Sequence, residues 1–137
     1  MYTHLIGTHN VKIIDNMLTL PDNFISVFNG KCVLSRSFDE CMMIYPISVW
    51  NDFAERLSCL PDSKKSARQL KSYFFASAEE VDIVNDKLCI PERFRNMLGT
   101  NVLMCGNGNK IEVYNELTYE EPLITDEMLS ELSQYGI

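Results

Sequence analysis

Few side chains in this 137-residue sequence could carry covalent chemistry. Cys32, Cys41, Cys59, Cys89 and Cys105 are possible nucleophiles or metal ligands, and His4 and His9 are the only histidines. A thiol or hydroxyl nucleophile needs a base within hydrogen-bond reach. With both histidines near the N-terminus, no Ser-His-Asp or Cys-His arrangement is suggested. No C-x-x-C spacing occurs, so no metal site is expected. The odd cysteine count argues against a disulfide framework and for buried thiols in a reducing, cytoplasmic compartment. The glycines of Gly106-Asn107-Gly108 fall in a hairpin and open no helix, unlike a phosphate-binding loop. Glu79-Glu80 and Glu120-Glu121 read as solvated charge. The chain is therefore not expected to be an enzyme, and neither a cofactor nor a small-molecule substrate is expected.

The remaining chemistry is ionic. The formal charge is −7, with 46% hydrophobic and 23% charged residues. Glu116, Glu120, Glu121, Asp126, Glu127 and Glu131 lie in residues 116–137, which contain no Lys or Arg. Residues 1–115 are then left at −1, nearly neutral, so a local basic face is possible. Lys64, Arg68 and Lys71 recur at helical spacing. A solvated helix face is the simpler reading of them, and a phosphate- or partner-binding patch the sharper one. Apolar runs are too short to span a membrane, and no signal peptide is expected.

The elements that position these charges come from an internal repeat. At an offset of 70 residues, Ile13 meets Ile83, Leu18 meets Leu88, Pro21 meets Pro91 and Phe24 meets Phe94. Further on Val33 meets Leu103, Leu34 meets Met104 and Met43 meets Val113, without a gap. Two copies of one unit, packed as a pseudo-dimer, are expected. In each copy, alternating apolar residues surround an Asx pair, Asp15-Asn16 or Asn85-Asp86. Because Asn and Asp tolerate positive φ, a tight hairpin is predicted at both. Pro21 and Pro91 should precede short helices over 22–28 and 92–98, and Gly99 should stop the second. Strands follow at about 31–35 and 41–45, then at 101–105 and 110–114. Between the copies, Trp50, Phe53 and Leu57 predict a helix over 47–59. A second is predicted over about 64–75, capped by Ser63, and a tail helix over 126–134, capped by Thr125.

The run Leu34-Ser35-Arg36-Ser37-Phe38-Asp39-Glu40-Cys41-Met42-Met43-Ile44-Tyr45-Pro46, followed by Trp50, resembles the end of the first repeat of MraZ proteins. Phe75-Ala76-Ser77-Ala78 resembles the opening of the second, and Gly106-Asn107-Gly108-Asn109-Lys110-Ile111-Glu112-Val113-Tyr114 the closing signature. The match spans residues 5–120. It implies an α+β fold in which two tandem βαββ-type, SpoVT/AbrB-like repeats form a double-split, swapped-hairpin β-barrel. The repeats would occupy 5–47 and 76–119, with a helical connector at 48–75 and an acidic tail at 120–137. It also implies a ring-shaped homo-oligomer and a nucleoid-associated transcriptional regulator that binds promoter DNA of the cell-wall and division gene cluster.

The resemblance places DNA contacts on a loop patterned Asp-x-x-x-Arg in each repeat. In this sequence the Arg positions hold Met17 and Lys87, the Asp positions hold Ile14 and Val84, and both loops are one residue shorter. The implied contact residues are Lys12, Asp15, Asn16, Met17, Asn85, Asp86, Lys87 and Arg93. Arginine holds a phosphate or guanine bidentately, which Met cannot do and Lys does only as a point charge. Asp15 and Asp86 would oppose approaching phosphates. DNA contact is therefore expected to be weak and to rest on Lys12, Lys87 and Arg93. The alternative is an oligomeric scaffold that binds a protein partner and has lost DNA binding.

Overall fold

The computed structural model describes residues 4–137. It is α+β and mostly antiparallel. The strands are β1 Thr8–Lys12, β2 Met17–Thr19, β3 Lys31–Arg36, β4 Met42–Pro46, β5 Glu79–Asp82, β6 Lys87–Cys89, β7 Asn101–Gly106 and β8 Ile111–Asn115. The helices are α1 Asp22–Ile25, α2 Ile47–Ser58, α3 Lys65–Ser77, α4 Glu92–Leu98 and α5 Asp126–Ser130, the last continued by a 3₁₀ turn, Glu131–Tyr135.

The strands pair across the two copies. One sheet has the order β1-β7-β8-β4-β3-β5, and β2 and β6 form a second ladder. Each copy thus gives its first strand to the other: Val11 lies opposite Val102, and Val81 opposite Cys32. These two pairs interchange under the 70-residue offset, as do Met17–Cys89 and Thr19–Lys87, with Leu18 facing Leu88 between them. The copies are related by an approximate two-fold axis. No closed barrel forms among the described residues, since β1 and β5 each have a single neighbour and leave the large sheet open.

The ungapped repeat needs one correction. Leu34 pairs with Ile44, but its counterpart Met104 pairs with Val113. Five residues, 37–41, join β3 to β4, whereas four, 107–110, join β7 to β8. The offset falls to 69 beyond the hairpin, so Val113 matches Ile44 and Glu112 matches Met43. Because side chains alternate along a strand, that one-residue slip decides the face. Ile44 and Val113 enter the core, while Met43 and Glu112 face the other side.

The core is symmetric in kind. Phe24 and Phe94, Leu18 and Leu88, and Leu20 and Ile90 all lie in the main cluster. Helix α1 is shorter than the expected 22–28. Val27 and Phe28 donate to the carbonyls three residues back, at 3.4 and 3.1 Å, so the chain tightens into turns after Ile25. The α4 helix keeps its full span and ends at Gly99, whose φ of +68° only glycine adopts readily.

On the opposite face, α2 and α3 cover Val33, Cys41, Met43 and Tyr45. Phe53 stacks on Tyr45 at 5.9 Å and meets Phe74 edge-on at 5.2 Å. Ser63 does not cap α3; Lys64 holds that position without a side-chain hydrogen bond. Asp62 anchors the helix instead, taking Lys71 Nζ on its carboxylate and Arg68 Nη1 on its carbonyl, both at 2.7 Å. Lys71 therefore holds that carboxyl below its ordinary range. Thr125 caps α5 as expected, accepting from the Met128 amide at 3.2 Å.

The expectation of buried thiols holds for three cysteines only: Cys59 and Cys89 are exposed. Burial pushes the Cys32 thiol up to about 12 and that of Cys41 to about 11. Both stay protonated, and unreactive, near neutrality.

Candidate nucleic-acid interface

The two Asx turns are built alike. Asp15 and Asn16 have φ of +53° and +63°, and Asn85 and Asp86 have the same two values. Two consecutive left-handed residues define the type I′ turn, whose twist suits a tight hairpin. Each turn closes by mutual amide–carbonyl bonds: Ile14 with Met17 at 3.1 and 2.9 Å, and Val84 with Lys87 at 2.9 and 3.0 Å. Asn and Asp are the side-chain-bearing residues that adopt this conformation at least cost.

Strand exchange sets where the turns lie. The Ile90 amide donates to the Asn16 carbonyl and the Leu20 amide to the Asp86 carbonyl, both at 2.8 Å. Each turn is thus clamped by the other copy, at opposite ends of the β2–β6 ladder. Four residues of strand separate those ends, roughly 13 Å at 3.3 Å per residue. Asp15, Asn16, Asn85 and Asp86 are all exposed.

The sequence-derived contact residues do not form one cluster. Lys87 opens β6 beside the second turn, opposite Thr19, and is exposed. Met17 occupies the matching place beside the first turn and is half-buried. Lys12 ends β1 opposite Asn101, three residues before Asp15, and is exposed. Among the described residues, neither lysine has an ion pair or a side-chain hydrogen bond. Arg93 sits elsewhere: its Nη1 donates to the Ala76 carbonyl at the end of α3, at 2.8 Å. There it lines a groove with Arg36, Gln69 and Tyr73. Lys64, Arg68 and Lys71 lie on or beside α3, the last two committed to Asp62.

One cation that the sequence reading overlooked stands beside the first turn. Arg95, on α4, lines a cavity of about 290 Å³ together with Asp15, Asn16, Ile13 and Ile90. Its Nε donates to the Ile90 carbonyl at 2.9 Å. Under the offset of 70, Arg95 falls on Ile25, so the second turn has no such neighbour. That mismatch was the available signal.

A family model for the MraZ protein matches residues 6–73. "Transcriptional regulator MraZ" of Pediococcus pentosaceus is 30% identical over 109 residues, covering 77% of this chain and 76% of its own. The protein of the same name from Caldicellulosiruptor saccharolyticus is 30% identical over 131 residues, covering 92% and 90%. The chain belongs to the MraZ family. A third MraZ regulator, from Lachnoclostridium phytofermentans, is 28% identical over 141 residues and covers 99% of this chain and 95% of its own. The relatives therefore run through both copies and the tail, beyond the reach of the family model. No helix of the described residues is long and apolar enough to cross a membrane.

Proposed function

We propose that this chain is a DNA-binding transcriptional regulator of the bacterial cell-wall and division gene cluster, acting in the cytoplasm and nucleoid as a ring-shaped homo-oligomer. The observation that carries the reading is the matched pair of exposed I′ turns, each followed or preceded closely by a free lysine, on a chain whose relatives are named transcriptional regulators. The exchange of β1 and β5 between the copies supports a double-split, swapped-hairpin arrangement, with repeats at 5–47 and 76–119 joined by the connector at 48–75 and followed by the tail from 120. Self-association is supported by exposed apolar surface. Phe38 is 81% exposed on the β3–β4 hairpin, at the edge of a cleft of about 400 Å³ lined by Tyr45, Phe53 and Phe74. A ring would present each weak phosphate contact many times, so avidity would compensate for the shortened loops.

Anisotropy titration of the full chain against a labelled duplex from upstream of its own gene tests this reading. Saturable binding is expected, weakening steeply with salt. Light scattering should show an assembly well above a dimer, and a stable monomer at micromolar concentration would defeat the ring.

One observation favours the second reading, an oligomeric scaffold for a protein partner. Ile14 and Val84 are 63% and 61% exposed beside the two turns. Paired β-branched residues at matched sites suit an apolar partner better than a phosphate backbone. A duplex that fails to bind at any ionic strength would leave this reading standing.

A further inference from the structure

We propose that Arg95 is the phosphate-contacting arginine of the first turn, supplied across the exchanged strands by the other copy. The proposal rests on the DNA-binding reading above and adds a residue outside the loops to it. Ile90 joins the two parts. Its amide holds the Asn16 carbonyl at 2.8 Å, and its carbonyl takes Arg95 Nε at 2.9 Å. Turn and guanidinium are thus tied to a single peptide residue, which limits how far either can drift from the other.

An arginine has five N–H donors in a planar fork. The bond to Ile90 uses the one on Nε, and Nη1 and Nη2 donate to nothing else among the described residues. Among the described residues no carboxylate forms an ion pair with Arg95, although Asp15 lines the same cavity. The side chain is half-buried, so its rotamer freedom is already reduced before any ligand arrives. A fork anchored at Nε with both terminal nitrogens free is suited to two oxygens of one phosphodiester.

The two-fold relation explains why the first turn needs this residue. The second turn carries its own cation, Lys87, and Ile25 occupies the place matching Arg95. The first turn carries Met17 and receives Arg95. Lys12 stands three residues before the first turn and has Asp82 as its counterpart, so the two copies bring cations to their turns by different routes. Asp15 would oppose a phosphate at the first turn as Asp86 would at the second, and these cations offset those charges.

The test uses the full chain and a fluorescein-labelled duplex from upstream of its own gene, titrated at several salt concentrations beside a random duplex. Arg95→Gln should weaken both duplexes about tenfold, the equivalent of one charged contact of some 1.4 kcal/mol. It should flatten the slope of log K against log salt by about 0.9 for each contacting subunit. Arg95→Lys should keep the slope and lose part of the affinity, because the charge remains and the fork does not. That variant also answers for folding: a purely structural Arg95 would lose the Ile90 bond without any pattern in the salt slope. If Lys87→Ala weakens binding while both Arg95 variants match the wild type in affinity and slope, the proposal is overturned and the DNA reading stands. If the wild type binds neither duplex, both fall together.

Discussion

The first and second Asx turns have the same backbone and different chemistry. Their φ values coincide, their closing bonds are all between 2.9 and 3.1 Å, and each is clamped by an amide of the other copy. Yet Met17 stands where Lys87 stands, and Arg95 where Ile25 stands. Backbone shape at these turns depends on tolerance of positive φ and on ladder register, both of which Asn and Asp satisfy in either order. Charge is not constrained by either requirement. The two turns could therefore diverge in what they contact while keeping the same backbone.

The comparison can be broken most forcefully in the core. Phe24→Ala and Phe94→Ala should each cost about 3–5 kcal/mol in urea unfolding, since both rings are fully enclosed in one cluster. Equal losses, with one cooperative transition, are expected of two copies that share strands. Two separate transitions would show that the copies fold independently.

The turns come next. Asn16→Val and Asp86→Val each force a β-branched residue into the left-handed region, at about 1–2 kcal/mol apiece. Matching losses would support equivalent turns, and a large inequality in thermal unfolding would end that equivalence.

A third test uses matched core sites that differ in type: Cys32 in the first copy and Val102 in the second. Burial raises the Cys32 thiol from an ordinary 9.0 to about 12. A raised native pKa contributes stability that is complete below pH 9 and is lost as pH rises from there toward 12. The loss is about 1.4 kcal/mol per pH unit. Cys32→Val should therefore shrink the fall in stability between pH 8 and pH 10, which denaturant melts at the two values would measure.

Smaller effects are expected at the interface. Lys87→Ala should weaken specific and random duplexes alike, by roughly fivefold, and flatten the salt slope by about 0.9 per contacting subunit. Met17→Arg should strengthen both. Unchanged binding in the two variants would mean that positions 17 and 87 make no contact, leaving Arg95 and the exposed Lys64 as the cations to test next. The smallest effect belongs to the tail. Removing 116–137 takes the formal charge from −7 to −1. Residues 116–137 belong to neither core cluster, and only Tyr119 among them is half-buried, its ring 4.9 Å from that of Tyr114, so the fold should persist with a small loss of stability. DNA affinity should rise a little, chiefly at low salt where screening is weak. No change at any ionic strength would place the tail far from the contact face.

Much of the architecture was legible in residue types and spacing. The 70-residue repeat, the paired Asx turns, the Gly99 stop and the Thr125 cap all follow from local preferences, and local preferences can be read along one chain. The slip to an offset of 69 was not legible, because Met43 against Val113 looks as apolar as Ile44 against Val113. Only the hydrogen-bond register separates them. Ser63 as a cap was a plausible local choice that lost to Asp62, whose partners Arg68 and Lys71 lie six and nine residues away. Arg93 and Arg95 were equally plausible from sequence. They lie two residues apart on one short helix and go to different places, Arg93 to the end of α3 and Arg95 to the Ile90 carbonyl, in the cavity that the first turn also lines.

By itself, then, the sequence determined that there are two copies, that each bears a tight turn able to take positive φ, and that the negative charge gathers at one end. These properties reside in single residues or close neighbours. Tertiary structure decided which copy each strand serves. Alternating apolar residues are satisfied by any antiparallel partner, so the pattern of β1 cannot distinguish β7 from β3. The exchange resolves that degeneracy through the register of long-range hydrogen bonds and the closure of one common core. It also brings Arg95 of the second copy to the turn of the first, a neighbour some eighty residues distant in the chain.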